Sequence, residues 1–409
     1  MPEANLTRCG PLTLKRAPGQ TVSQVTHFKA VAGAGQLRLH RDVVDALDIR
    51  LNGEPLSVPP VAGAPPEIHL DVTLARDNVL AVEIGRGAAG AATLRVTQRT
   101  EADLGLVRQG YFGLNTRDIQ RQRAFYEMLG FVGEIYPAGP ETSTTFARAL
   151  GFADDYLIHV SLHSLKNPPE MPFVDTAEFR ADSFRDEPPY AQLNHLGMAY
   201  ATYASADLDG AIDYLTGQGV KFLSAPVTVA NGERFVFMQE PDGAYIKLVA
   251  SAAQPVSPYG AQLVRLVNTN MNVSDLERSR EFYRLLGFTE SKADAQAGEG
   301  ALSAAYGFTG PIAFTGVDVS LGEGTDGATI QLRQWLHPYD DAAPYPPPVN
   351  HLGIDRINFY VKDLTAAVST MNALGFEQLG PIGGMPEVGI VFFYDPDGIK
   401  VQLAGPQTG

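Results

Sequence analysis

Residues 273–288 read VSDLERSREFYRLLGF, and the fold can be worked outward from this stretch. Asp275 brings a carboxylate that accepts from the free N–H groups of a helix's first turn and suits the positive end of the helix dipole. Leu276, Phe282, Tyr283 and Leu286 then fall at helical spacing. Gly287, twelve residues after Asp275, supplies the left-handed conformation that ends such a helix. The segment NTNMNVSD that leads into it alternates as a strand does.

The pattern repeats. FYRLLGF (282–288) has a partner in FYEMLGF (125–131), 157 residues earlier. NHLG recurs at Asn194 and Asn350, PDG at Pro241 and Pro396, and ALGF (149–152) matches AYGF (305–308), at offsets of 156, 155 and 156 residues. Four matches near one offset make residues 105–250 and 260–405 two copies of one unit. Each copy is itself a doublet, because Asp118, Asp207, Asp275 and Asp363 are each followed twelve residues later by Gly130, Gly219, Gly287 and Gly375. Strand-like runs follow each glycine, among them YLIHVSLHSL (156–165), RFVFMQE (234–240), GVDVSL (316–321), TIQLRQW (329–335), GIVFFYD (389–395) and IKVQLA (399–404). The expected unit is therefore a β-α-β-β-β module, present four times, with PDG as a tight turn.

Residues 1–103 differ. DIRLNGEPL carries an Asn52-Gly53 hairpin signal, and EIHLDVTL, VLAVEI and ATLRVTQR alternate without a helical stretch. A small all-β sandwich is expected there, with PVAGAPPE (60–67) as a loop, followed by units at 104–252 and 260–409. The chain has 409 residues, 44% of them apolar and 19% charged, which is an ordinary globular composition. A net charge of −15 argues against general nucleic-acid binding and against attachment to an anionic membrane. Cys9 alone excludes an intramolecular disulfide and a cysteine-based zinc cluster. No apolar run approaches the ~20 residues of a membrane span. MPEANLTRCG lacks a basic stretch followed by an apolar one, so a cytoplasmic protein without a leader is expected.

Modules carrying D-L-x-x-S-x-x-F-Y-x-x-L-G-F and later D-P-D-G resemble the vicinal oxygen chelate superfamily. That superfamily includes glyoxalase I, bleomycin-resistance proteins, fosfomycin-resistance enzymes, methylmalonyl-CoA epimerase and extradiol dioxygenases. VSDLERSREFYRLLGF and YDPDGIKVQLA (394–404) match best, and the resemblance spans about residues 105–405. It implies an α+β fold in which four βαβββ modules pair into two half-open barrels. The spacing suggests that modules one and two pair, and three and four.

In that superfamily up to four side chains from the first and last strands of two paired modules hold a divalent metal. The resemblance puts the first-strand position at Tyr111, Tyr200, Asn268 and Arg356, and the last-strand position at Lys247, Gln331 and Gln402. Module one leaves a choice between Glu178 and His159. These are not the converging His and carboxylate ligands that a divalent ion needs, so no cofactor is expected. Fe, Mn, Zn or Ni at a cluster using His159, His163 or His195 is the alternative.

Tyr111, Glu178, Tyr200 and Lys247 are the catalytic candidates, as phenols, a buried carboxylate and a buried amine can be tuned for proton transfer beside a carbonyl. The competing reading is a Glu178–Lys247 ion pair with tyrosine lining. His159, His163, Asn268, Gln331, Arg356 and Gln402 are the substrate-binding candidates. His159 and His163 share one strand face with Ser161 and could share a ligand or a metal, although such residues more often sit on a solvated sheet face or satisfy a local hydrogen bond. Arg356 has the fork that clamps a carboxylate or phosphate, or it belongs to an internal network. Trp335 and Tyr360 either stack on an aromatic ligand or serve as core. His195 and His351, both within NHLG, point to a shared structural role. AQAGEGA and GEGTDGA are too irregular for phosphate loops and read as exposed hairpin connections.

The expected function is a glyoxalase-type lyase or isomerase acting on a small organic compound, aromatic or carbonyl, by acid–base chemistry. The alternatives are metal-free sequestration of such a compound and a metal-dependent dioxygenase or lyase with atypical ligands. The expected partners are the small molecule and, in a homodimer, a second copy of the chain.

Overall fold

A computed structural model describes residues 12–29, 33–42, 47–58, 67–75, 77–98, 104–134, 140–142, 144–152, 157–166, 173–179, 192–256, 259–321, 328–342, 348–376, 378–385 and 387–407. Cys9, nearly all of the PVAGAPPE loop and nearly all of GEGTDGA lie outside them. The chain divides into two compact units, the first comprising residues 1–104, 277–287 and 368–377 and the second the rest.

In the first unit the alternation of the sequence becomes two antiparallel sheets. One runs in the order Leu12–Arg16, Gly90–Gln98, Gly33–Asp42, Glu67–Leu74, the other Val22–Lys29, Asp77–Ile84, Leu47–Leu51, Glu54–Pro55. Alternate residues of both, such as Leu37, Leu39 and Leu94 with Ile49, Leu80 and Val82, feed one buried cluster, which makes this a sandwich. Asn52 and Gly53 both take positive φ, 55° and 87°, as a two-residue hairpin turn requires. Leu285 and Leu286 are buried in the same unit, and Phe282 meets Phe376 edge-on at 5.0 Å.

In the second unit each module contributes a first strand and a parallel last strand. These are Leu106–Asn115 and Phe173–Phe179, Gly197–Ser205 and Tyr245–Ala250, Leu263–Asn272 and Thr329–His337, Gly353–Val361 and Lys400–Gly405. The helices Ile119–Leu129, Leu208–Gly217, Leu276–Leu285 and Leu364–Ala373 begin directly after the four aspartates. The Asp118 carboxylate accepts from the N–H groups of Gln120 and Arg121, both at 3.0 Å, and Gly130 closes that helix at φ 104°.

The pairing of modules differs from the expectation. The first strand of module one lies antiparallel to that of module four, Gly113 facing Arg356, and the first strand of module two to that of module three, Thr202 facing Asn268. Two nine-stranded curled sheets result, a one-four barrel and a two-three barrel. All four first strands expose the same kind of edge, so the sequence pattern does not choose between partners. The connection between modules two and three, residues 251–262, is shorter than 180–196 and 338–352, and it joins the two modules that pair. Consecutive modules meet instead at the PDG turns. Asp242 of module two accepts from Thr116 Oγ1, the Arg117 N–H and Arg121 of module one, and Asp397 of module four from the Ser274 N–H and hydroxyl of module three.

The Asn-His-Leu-Gly repeats also have a structural job. Asn272 donates to the carbonyls of Leu193 and His195, and Asn115 to those of Val349 and His351, which fixes each approach to a first strand. AQAGEGA is not a simple hairpin connection, since Gln296–Gly298 pairs with the strand Ile312–Ser320 and the short helix Ala301–Ala305 follows.

Candidate functional site

The crossed pairing divides the four catalytic candidates between two barrels. Tyr111 lies in the one-four barrel with Arg356 and Gln402, and Tyr200 and Lys247 in the two-three barrel with Asn268 and Gln331. The last-strand position of module one is neither Glu178 nor His159. In register, Gly113 pairs with Asp175 as Asn270 pairs with Gln331, Thr202 with Lys247 and Asn358 with Gln402. Glu178 instead accepts from the Ile119 N–H at 3.0 Å, at the start of helix Ile119–Leu129, where a carboxylate suits the helix dipole. His159 lies 4.0 Å from Glu178 on the same face, and His163 stacks on Tyr126 of that helix at 5.6 Å. All three therefore belong to the helix-covered side. Glu178 stands three residues from Asp175, and an odd step along a strand turns a residue to the opposite face.

In the one-four barrel Arg356 is consumed by neighbours. Its guanidinium donates to Asp175 at 2.7 Å, Asp355 at 2.7 Å and Asn115 at 3.2 Å. Burial and then Asp175 hold the Tyr111 hydroxyl well above its ordinary range, and it accepts from Gln402 at 2.6 Å. Burial lowers Lys400 to about 8, beside Asp355 at 3.9 Å. Tyr111, Leu162 and Tyr360 form a small apolar cluster.

The two-three barrel is more aromatic. Tyr200, Phe235, Phe237, Tyr306, Phe314 and Trp335 share one buried cluster. Tyr200 donates to Gln331 Oε1 at 2.7 Å, and burial raises its pKa far enough to keep it a phenol. Lys247 donates to Glu233 at 2.6 Å and lies 4.2 Å over the Phe235 ring, so it is an ion-paired cation. Beside this row stand two residues that the sequence reading did not select. Arg333, fully buried, donates from Nε and Nη2 to Asp294 at 2.9 and 2.6 Å and from Nη2 to Gln331 at 3.1 Å, while its Nη1 has no hydrogen-bond partner. Its guanidinium stacks 3.8 Å over Phe314. Asp318 pairs in register with Gln331 and so shares its face. Burial, then the nearby Asp294, push its carboxyl up to about 6, and its Oδ1 has no hydrogen-bond partner. In the one-four barrel Leu162 occupies the corresponding place opposite Asp175.

Buried polar atoms in native proteins are nearly always hydrogen-bonded. Along the interior of the two-three barrel Asp318 Oδ1, Arg333 Nη1, Asn268 Oδ1, Asn270 Oδ1 and Thr202 Oγ1 are buried and have no such partner within the chain. Elsewhere in the second unit a small recess is lined by His195, His351, Asp355 and Gln192 among others. Burial lowers the pKa of His195, whose Nδ1 lies 3.3 Å from Asp340.

The chain belongs to the Glyoxalase/Bleomycin resistance protein/Dioxygenase superfamily, whose model matches residues 108–248 and 265–403. Glyoxalase I from Zea mays is similar in structure at 18% identity and a TM-score of 0.48, over 73% of this chain and 92% of that one. A putative dioxygenase from Bacillus subtilis matches at 12% identity and a TM-score of 0.46, over 76% and 87%. A mutant 4-hydroxymandelate synthase from Streptomyces coelicolor matches at 13% and 0.26, over 74% and 94%. No curated protein matches the chain significantly.

The metal that the superfamily implies does not fit either barrel. One offers a protonated phenol, an amide, a guanidinium and an aspartate already bound to that guanidinium. The other offers two amides, a phenol, an ion-paired ammonium and the single unpaired carboxylate of Asp318, which is one anionic ligand where several His or carboxylate ligands are needed. Among the described residues no three His, Cys, Asp or Glu side chains are grouped to hold a metal ion, and no helix is long and apolar enough to cross a membrane.

Proposed function

We propose that the two-three barrel catalyses proton transfer on a small organic carbonyl compound, with Asp318 as the base and acid. The supporting observation is a buried carboxylate shifted to about 6, with an unpartnered oxygen, on a sheet face lined by hydrogen-bonding groups. Near neutral pH such a group is ionised yet still basic enough to take a proton, the condition that favours general base catalysis. The chemistry then runs simply. Asp318 removes a proton from the carbon next to the carbonyl, and the electron pair of that C–H bond moves into an enolate. The positive charge of Arg333, stacked on Phe314 in a water-poor interior, offsets the charge on the enolate oxygen. Asp318 returns its proton to a different carbon for isomerisation, or to a leaving group for elimination. Tyr200, held by Gln331, stays protonated and positions that amide between Arg333 and Asp318.

The test is exchange of α-carbon hydrogen with solvent deuterium, followed by proton NMR over a panel of small ketones and aldehydes. Asp318→Asn is expected to slow exchange by about 100-fold or more, while Tyr111→Phe in the other barrel leaves it intact. Exchange at the unaltered rate in Asp318→Asn would refute the assignment. Tight binding with no exchange in the wild type would make the barrel a sequestering site instead.

A further inference from the structure

We infer that the two-three barrel selects molecules that carry a carboxylate on a planar, unsaturated body, with Arg333 Nη1 as the seat of the carboxylate. This rests on that barrel being the ligand site and goes beyond it by naming the chemistry of the ligand.

The geometry of Arg333 carries the inference. One edge of its guanidinium is spent on Asp294 and Gln331, and the Nη1 edge is buried with no hydrogen-bond partner. Leaving a charged donor unpaired in a dry interior is among the larger penalties that a fold carries, and an anion removes it. A guanidinium N–H forms strong, charge-assisted hydrogen bonds to a carboxylate in the plane of the group. The surroundings add shape. Phe314 lies 3.8 Å below the guanidinium, with the Tyr306 ring at 5.5 Å and the Tyr200 ring at 5.7 Å, and Trp335 meets Phe314 at 5.0 Å. Flat aromatic faces around one cation favour a flat, unsaturated partner over a branched one. Arg356, the first candidate for such a clamp, lacks this property because three acceptors already hold it.

The groups facing Asp318 are Asp294, Lys292, Gln331 and Arg333. When Asp318 is protonated it opposes an incoming anion less than when ionised. Carboxylate affinity is therefore expected to fall as pH rises through about 6 and to be independent of that ionisation in Asp318→Asn.

Calorimetry with benzoate and cinnamate, against benzamide and cinnamamide of the same shape, tests this on the full-length protein. The acids are expected to bind at least about tenfold tighter than the amides, and Arg333→Met to lose that preference. Arg333→Lys keeps the charge beside Asp294 but not the planar fork, and it is expected to retain only part of the preference. Circular dichroism establishes that each variant is folded. Should Arg333→Met fail to fold, the acid–amide comparison and its pH dependence in the wild type decide the matter. Equal affinity for acid and amide, or no binding of either acid up to about 10 mM, would overturn the inference. Deuterium exchange that survives Asp318→Asn while the acid preference persists would remove only the acid–base reading.

Discussion

Gly113→Ala is expected to destabilise the protein by about 3–5 kcal/mol, although it adds one methyl group. A Cβ at position 113 would lie 2.3 Å from Arg356 Cζ and 2.4 Å from its Cγ and Nε. The backbone has little freedom to retreat, because Gly113 is in register with Asp175 on one side and Arg356 on the other. The guanidinium must therefore move, which leaves Asp175, Asp355 and Asn115 without their donor. Urea denaturation of Gly113→Ala, Arg356→Ala and the double variant measures the effect. Arg356→Ala clears the space, so the alanine at 113 should then cost under about 1 kcal/mol, giving a coupling of at least about 2 kcal/mol. Additive effects within about 0.5 kcal/mol would mean that residue 113 of module one does not pack against residue 356 of module four, and the crossed pairing would be wrong.

Tyr200→Phe removes the donor to Gln331 and should lower stability by about 1 kcal/mol, readable as a shift in thermal midpoint. Asp242→Ala deprives Thr116, Arg117 and Arg121 of their shared acceptor, and about 2–3 kcal/mol should be lost in chemical denaturation; a loss below about 0.5 kcal/mol would mean that the PDG turn does not clamp module one. Burial pushes Asp318 to about 6 and Glu240 to about 7, so the folded chain holds these protons more tightly than the unfolded one. Their stabilisation is full below the ordinary carboxylate range and is lost as pH rises through about 6–7. Asp318→Asn should flatten this fall by on the order of 2 kcal/mol in urea titrations between pH 4 and 7, and an unchanged slope would contradict the shift.

The modules were legible in the sequence because their signals are local. A capping aspartate, a helical stripe and a left-handed glycine twelve residues on are all set within one short helix, and Asn52-Gly53 and PDG fix their turns in the same local way. Pairing is a long-range choice among four similar strand edges, and nothing local encodes it. The site shows the same division. Tyr111, Tyr200, Asn268, Gln331, Arg356 and Gln402 are all buried on the strands expected of them. Arg333 was within reach, since it stands two residues after Gln331 and must share its face. Asp318 was harder, because in GVDVS only the register against Gln331 shows where the carboxylate points. Glu178 stands three residues from Asp175, an odd step that turns it to the other face, and His159 and His163 lie on that same helix-covered side.

The titration of Asp318 itself tests the proposed chemistry most directly. Carbon-13 NMR of the side-chain carboxyl, assigned by its loss in Asp318→Asn, follows ionisation with and without benzoate. The expected midpoint is about 6 in the free protein, and it should rise when benzoate occupies the barrel, since a second negative charge nearby disfavours ionisation. A midpoint near the ordinary aspartate value of 3.8, or one that benzoate leaves unmoved at saturation, would contradict a ligand-facing acid–base group in the two-three barrel.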